Sequence, residues 1–93
     1  MATQPTGQPR AREDLLFRQV DDEWVVFDPA ASELHVLNLT AALIWSHCTG
    51  ELTPEQIAEA VGAAYDIEPE RARADVQATL QRFREAGLLA DAQ

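Results

Sequence analysis

The sequence has few of the groups that catalyse reactions, bind metals or span membranes. Its 93 residues include one cysteine, two histidines and no lysine. A single cysteine cannot form an internal disulfide, so nothing indicates an oxidising compartment. The longest apolar run, residues 40–45, is too short to cross a bilayer, and residues 1–10 lack the apolar segment of a secretory signal. We therefore expect a soluble, cytoplasmic protein without membrane contact.

The charge is strongly one-sided. The chain has sixteen acidic residues and seven basic ones, all arginine, which gives a net charge of −9. An acidic surface repels phosphate, which argues against general nucleic-acid binding. The length suffices for one small domain with a thin core, which leaves little room for an enclosed catalytic pocket.

Three short strands are predicted in the first half of the chain. Residues 1–13 are polar and contain prolines and a glycine, so we assign them to a disordered tail that precedes a domain at 14–90. Residues 15–20 and 23–27 are rich in aromatic and β-branched residues, and Asp21-Asp22 between them predicts a hairpin turn. After Pro29 interrupts the pattern, residues 34–37 predict a third strand.

Three helices are predicted in the second half. Asn38 is a good N-cap for a helix over residues 39–48, and Thr53-Pro54 with Gln56 forms the capping-box pattern of a second helix that ends near residue 65. A third helix begins at Pro69 and ends before Gly87, with a Schellman ending in which Phe83 and Leu88 make contact. Its buried stripe is predicted at spacings of four, four and three residues: Ala72, Val76, Leu80 and Phe83. Because the helices follow the strands and do not alternate with them, the fold class is α+β.

His47 and Cys48 are the obvious candidates for chemistry, and neither fits well. Adjacent helical residues point about 100° apart, and no second cysteine exists to complete a zinc site. A cysteine near a helix C-terminus lies at the end of the dipole that raises a thiol pKa. We therefore predict no catalytic residue, no metal and no cofactor.

A helix-turn-helix formed by the second and third helices is an alternative interpretation. The third helix carries four of the seven arginines: Arg71, Arg73, Arg82 and Arg84. These arginines divide between two sides of the helix, and acidic residues in the same segment offset them. Such a surface predicts poor affinity for DNA at physiological salt.

The third strand is the most informative feature. Residues 34–37 carry none of the lysine, proline or internal charge that usually protects an exposed sheet edge. The pattern fits a central strand paired on both sides, and it fits equally an open edge. An open edge would suit the capture of an extended peptide by strand addition.

Four segments of the chain form a recognisable set: residues 25–29 (VVFDP), 37–45 (LNLTAALIW), 70–76 (ERARADV) and 87–89 (GLL), together with Gly50 and Leu80. In these segments the chain resembles the PqqD-like peptide chaperones, also called precursor-peptide recognition elements of ribosomally synthesised and post-translationally modified peptides (RiPPs). The resemblance spans about residues 14–90.

The resemblance implies a winged-helix-like fold in which a three-stranded antiparallel sheet packs on three helices. Members are not enzymes; they bind the leader of a precursor peptide, which adds to the third strand beside the third helix, and present it to a maturation enzyme in natural product biosynthesis. Carried onto this chain, the peptide-binding residues are Leu34, His35, Val36, Leu37, Arg71, Asp75, Val76 and Thr79. We chose the helix positions among them from the flank of the buried stripe.

The implied partners are a precursor peptide and a maturation enzyme such as a protease, cyclase or radical maturase, and no nucleic acid. We expect a monomer or a weak dimer, since open edges can pair with a second copy. A winged-helix DNA-binding regulator is the main alternative to the peptide-binding adaptor. A structural subunit of a larger enzyme is a third possibility.

Overall fold

The computed structural model describes residues 8–90. Its elements, in chain order, are β1 (Leu16–Val20), β2 (Glu23–Asp28), β3 (Glu33–Leu37), α1 (Leu39–Ser46), α2 (Pro54–Tyr65) and α3 (Pro69–Glu85). The α+β class predicted from the sequence is confirmed, with the strands first and the helices after them. Within the described residues, no helix is long and apolar enough to cross a membrane.

The sheet is antiparallel and has the order β1-β2-β3, so β2 is central. The predicted hairpin is present: Val20 pairs with Glu23, and Asp21 adopts a left-handed conformation (φ 57°) that aspartate tolerates better than most residues. Of the two arrangements open for the third strand, the structure has the edge position.

The turn between β2 and β3 is closed by a side chain. Asp28 Oδ1 accepts hydrogen bonds from the backbone N–H groups of Ala30 and Ala31, at 3.1 and 3.3 Å. This Asx-type turn sends the chain back along β2, so that Glu33 pairs with Asp28 and Val36 with Val25. A carboxylate at the end of β2 therefore helps to set the register of β3.

The helix ends follow the predicted capping residues. Asn38 Oδ1 accepts from the N–H of Ala41 at 2.7 Å, and Thr53 and Gln56 form both hydrogen bonds of the capping box. The α1 helix ends at Ser46, two residues earlier than predicted. At the end of α3, the N–H of Leu88 donates to the carbonyl of Phe83 at 2.9 Å, which is the predicted Schellman ending.

Gly87 makes that ending possible. Its φ of 76° lies in the left-handed region that glycine enters without steric cost. The chain therefore turns sharply after α3 and brings Leu88 and Leu89 back into the core, where they are 1% and 2% exposed.

The core lies between the inner face of the sheet and the three helices. Val26 at its centre is fully buried, and Ile44, Ile57 and Val61 join it from α1 and α2. The predicted stripe of α3 is buried throughout: Ala72, Val76, Leu80 and Phe83. An edge-to-face contact between Trp45 and Phe83, with ring centroids 5.2 Å apart, joins α1 to α3.

Residues 8–12 differ from the predicted disordered tail. The N–H of Ala11 donates to the carbonyl of Cys48 at 2.9 Å, and the N–H of Arg12 donates to the carbonyl of Leu88 at 3.0 Å. This pairing ties the segment between the end of α1 and the residues after α3. The sequence did not predict this pairing, because residues 8–12 are held by main-chain hydrogen bonds and by Arg12. Neither kind of contact produces an apolar period in the sequence. Residues 1–7, also assigned to the tail, lie outside the described residues.

Candidate functional site

The outer edge of β3 is the first part of the candidate site. Among residues 8–90, β3 forms a ladder only with β2, and the two isolated bridges involve other segments. The edge strand is short. Its only acidic side chain is that of Glu33 at its start, and it contains no lysine or arginine. Its outward main-chain donors and acceptors are therefore open to another strand.

Side chains of β3 alternate between two environments. His35 and Leu37 share the inner face with Val26 and Trp24 of β2, whereas Leu34 and Val36 point to the opposite face and are 59% and 57% exposed. A strand added to this edge would alternate in the same way. Every second side chain of such a strand would point toward the helices.

A groove between β3 and α3 lies where those side chains would point. It has a volume of about 410 Å³. Its walls come from both elements and from the residue after Gly87: His35, Val36, Leu37, Arg82, Phe83, Glu85, Ala86 and Leu88. Leu37, Phe83 and Leu88 are buried and form an apolar floor, while Arg82 and Glu85 are exposed at the rim. We call this the β3–α3 groove.

The main chains of β3 and α3 are not in direct contact, since no Cα atom of α3 lies within 8 Å of a Cα atom of β3. A strand paired with the β3 edge would lie about 4.8 Å from it. A second recess of about 600 Å³ shares Val36, Leu37 and Arg82 with the groove and extends it past the end of β3.

Two polar groups in the groove are incompletely satisfied. Nε2 of His35 is buried and makes no hydrogen bond among the described residues, although it lies 3.5 Å from Oε1 of Glu33. The guanidinium of Arg82 has no hydrogen-bond or ion-pair partner within residues 8–90. Both groups lie where a bound peptide would offer carbonyl or carboxylate oxygens.

The helix residues expected from the sequence lie elsewhere on α3. Arg71 and Asp75 line a different recess, next to Thr40 at the start of α1, and pair with each other at 3.7 Å. Val76 is fully buried and Thr79 is 8% exposed, so both belong mainly to the core. The predicted strand residues His35, Val36 and Leu37 therefore line the groove, whereas the predicted helix residues do not.

The spacing of the residues that form the helix wall could have identified them from the sequence. Arg82 and Ala86 continue the flank of Asp75 at helical spacing, about 10 Å further along the axis for Arg82. The choice between the two ends depends on where α3 passes β3. That crossing is a tertiary feature, which no local spacing in the sequence encodes.

The side chain of Arg12 joins the end of β2 to the residue that follows α3. Nη1 of Arg12 lies 3.1 Å from Oδ2 of Asp28 at the end of β2 and donates to the carbonyl of Gly87 at 2.8 Å. Hydrogen bonds from Arg12, and to a smaller extent from the N–H groups of Ala31 and Ala30, hold the pKa of Asp28 below its ordinary value. Asp14 and Asp28 raise the pKa of Arg12 in turn.

The residues considered for chemistry are not arranged for it. Cys48 is 4% exposed and its thiol donates to the carbonyl of Ile44 at 3.4 Å. Nδ1 of His47 instead contacts the carbonyl of Leu43 at 2.8 Å. In the part of the chain that the structure describes, no three His, Cys, Asp or Glu side chains cluster as a metal site requires.

An open strand edge beside an apolar groove defines a class of module that accepts an extended chain by strand addition. The sequence family Coenzyme PQQ synthesis protein D (PqqD) matches residues 23–89, which includes β2, β3 and all three helices. The chain therefore belongs to the PqqD family. A comparison with curated protein sequences finds no match.

Three solved structures share the fold. TbiB1 in complex with the TbiA(beta) leader peptide has a TM-score of 0.78 and 21% identity, covering 90% of this chain and 98% of its own. A lasso peptide synthetase B1 complexed with the leader peptide has a TM-score of 0.77 and 28% identity, with coverages of 88% and 96%.

The third is the PqqD truncation of Methylobacterium extorquens PqqCD, described as a functional and stand-alone RiPP recognition element. It has a TM-score of 0.74 and 24% identity, and the match covers 87% of this chain and 86% of that one. The three-stranded sheet followed by three helices is thus the shared fold of all four proteins.

Proposed function

We propose that this chain is a stand-alone adaptor that binds the leader segment of a ribosomally synthesised precursor peptide and presents it to a modifying enzyme. Membership of the PqqD family supports the proposal. So does the similarity to a lasso peptide synthetase B1 that was solved with a leader peptide and shares 28% identity over nearly its whole length.

The observation that carries the proposal is the unpaired edge of β3 beside the β3–α3 groove. In an extended leader added to this edge, alternate N–H and C=O groups bond to β3, which gives affinity that depends little on sequence. The β3–α3 groove, about 410 Å³ in volume, is lined by residues of β3 and α3 and lies where the inward side chains of that strand would point.

Selectivity comes from the leader side chains that point into the groove. They meet the apolar floor of Leu37, Phe83 and Leu88, and each apolar leader side chain buried there contributes about 1.5–3 kcal/mol. Ordering a flexible leader offsets part of this gain, so the complex is expected to form in the micromolar to nanomolar range and to release its cargo later. Arg82 at the rim and the buried Nε2 of His35 favour leader groups that offer oxygen acceptors.

The chemistry belongs to the partner enzyme in this proposal. Cys48 is enclosed in the core and bonded to a main-chain carbonyl, and His47 contacts a different carbonyl. Neither residue faces the β3–α3 groove, where the precursor would lie. The adaptor therefore contributes position and local concentration, and the bond-making groups come from the enzyme.

The direct test is titration calorimetry with the leader of the precursor encoded beside this chain. A single site with micromolar or tighter affinity is expected for the leader, and none for the core peptide that follows it. Absence of leader binding would overturn the proposal. A gel-shift assay at low salt runs in parallel, since DNA binding without leader binding would support the winged-helix regulator instead.

A further inference from the structure

The sheet face that points away from the helices is apolar across all three strands. Strand alternation and the register place six apolar side chains on it: Leu16, Val20, Val25, Phe27, Leu34 and Val36. We call this the outer face. Four of the five exposed large apolar residues in the described chain belong to it, and the fifth is Leu39 of α1.

An ordinary sheet packed on one side would not look like this. In antiparallel sheets with one solvated face, polar residues usually occupy the outward positions. Here the outward positions of β3 are filled by Leu34 and Val36, and two of the three in β1 by Leu16 and Val20, each 45–59% exposed. Exposed apolar side chains gathered on one face and bordered by polar residues are typical of an interaction surface.

A second copy of the chain is a poor occupant of the outer face. Three strands of five or six residues cover an area of roughly 15 × 17 Å, well below the ~800 Å² that each partner buries in a stable complex. Two chains of net charge −9 also repel each other. Both facts favour a different partner, which contacts the outer face and a further surface at the same time.

Acidic residues at the rim of the outer face indicate the charge of that partner's surface. Asp21 and Asp22 lie exposed in the hairpin at one end of the outer face, and Glu23 is next to them on the face itself. Arg18 is the only cation among the outward side chains of the three strands. A complementary surface therefore carries an apolar patch flanked by lysine or arginine.

Continuity with the β3 edge identifies the further contact. Leu34 and Val36 supply side chains to the outer face, while the main chain of the same strand is the proposed docking edge for the leader. A leader strand added there would place every second side chain in the plane of the outer face. The bound leader thus extends the outer face from three strands to four.

We propose that the outer face, extended by the bound leader, is the docking surface of the modifying enzyme. The enzyme contacts adaptor and leader together through an apolar patch with a basic rim, so it distinguishes the loaded adaptor from the empty one. The inference rests on the proposed function and adds where and how the enzyme binds.

The test uses β1, which is separated from the leader edge by β2. In the double variant Leu16→Ser/Val20→Ser, leader affinity measured by calorimetry should equal that of the wild type. Affinity of the leader-loaded double variant for the modifying enzyme encoded beside the precursor should fall at least tenfold. The matched control is Leu39→Ser, which removes a leucine that is 61% exposed but lies off the outer face. At saturating leader it should bind the enzyme normally.

Each outcome has a clear meaning. Enzyme affinity unchanged in the folded, leader-saturated double variant would overturn the inference. A wild type that sediments as a dimer while the double variant sediments as a monomer would also overturn it, because a second copy would then occupy the face. Failure of the wild type to bind leader would instead defeat the proposed function, so the two failures are distinguishable.

Discussion

Arg12 joins Asp28, at the end of β2, to the carbonyl of Gly87, just beyond α3. Its Nη1 atom lies 3.1 Å from Oδ2 of Asp28 and 2.8 Å from the carbonyl oxygen of Gly87. One side chain thus joins the strand next to β3 to the chain just beyond α3. Asp28 also accepts the hydrogen bonds that close the turn into β3, so this carboxylate positions the docking edge as well.

The first prediction concerns Asp28→Asn. The variant should melt at a lower temperature than wild type at pH 7, because the charge-assisted bonds from Arg12 are lost. The pKa of Asp28 is lowered in the folded protein, so its stabilising contribution is fully present above the ordinary value of 3.8 and is lost as the pH falls through the folded-state pKa. Melting curves of the two proteins should therefore converge below pH 3.8. A constant difference down to pH 2 would contradict this account.

The second prediction tests the strand edge with Val36→Pro. Proline removes a main-chain donor and adds a ring, so leader affinity should fall at least tenfold if that N–H points outward. The side chain is 57% exposed, which keeps the loss of core packing small. Val36→Thr preserves the N–H and serves as the control. A folded proline variant with wild-type leader affinity would argue against this edge.

The third prediction distinguishes the two ends of α3. Arg82→Ala removes from the rim of the β3–α3 groove a guanidinium that has no partner among residues 8–90, and it should weaken leader binding about threefold to tenfold. Arg71→Ala removes an arginine of the same helix that pairs with Asp75 in another recess, and it should change leader affinity less than twofold. If calorimetry instead shows a larger loss of leader affinity for Arg71→Ala than for Arg82→Ala, this prediction is wrong and the leader contacts the part of α3 expected from the sequence.

Local chemistry made most of the fold predictable. Asn38, Thr53 with Gln56, and the Phe83–Leu88 pair each specify a helix end through hydrogen bonds within a few residues, and all three endings are present. The α3 stripe was predictable for the same reason, since its spacing follows from helix geometry alone.

The unpredicted parts depend on contacts distant in sequence. Residues 8–12 are held by partners about forty and eighty residues away, which leave no local pattern. The edge position of β3, in contrast, was implied by the family resemblance and is confirmed, although residues 34–37 alone were compatible with either position. The helix wall of the groove depends on where α3 crosses the sheet, which is why the sequence pointed to Arg71 and Asp75 and the groove contains Arg82.

Strand addition of the leader to β3 is most directly tested by an N-methyl scan of the leader, with one backbone N–H replaced at a time and affinity measured by calorimetry. Because alternate N–H groups of an edge strand face its neighbour, affinity should fall at every second residue over a stretch of about five residues. The intervening N–H groups face away from β3 and should tolerate methylation better. Loss without alternation, or no loss at any position, would contradict binding by strand addition.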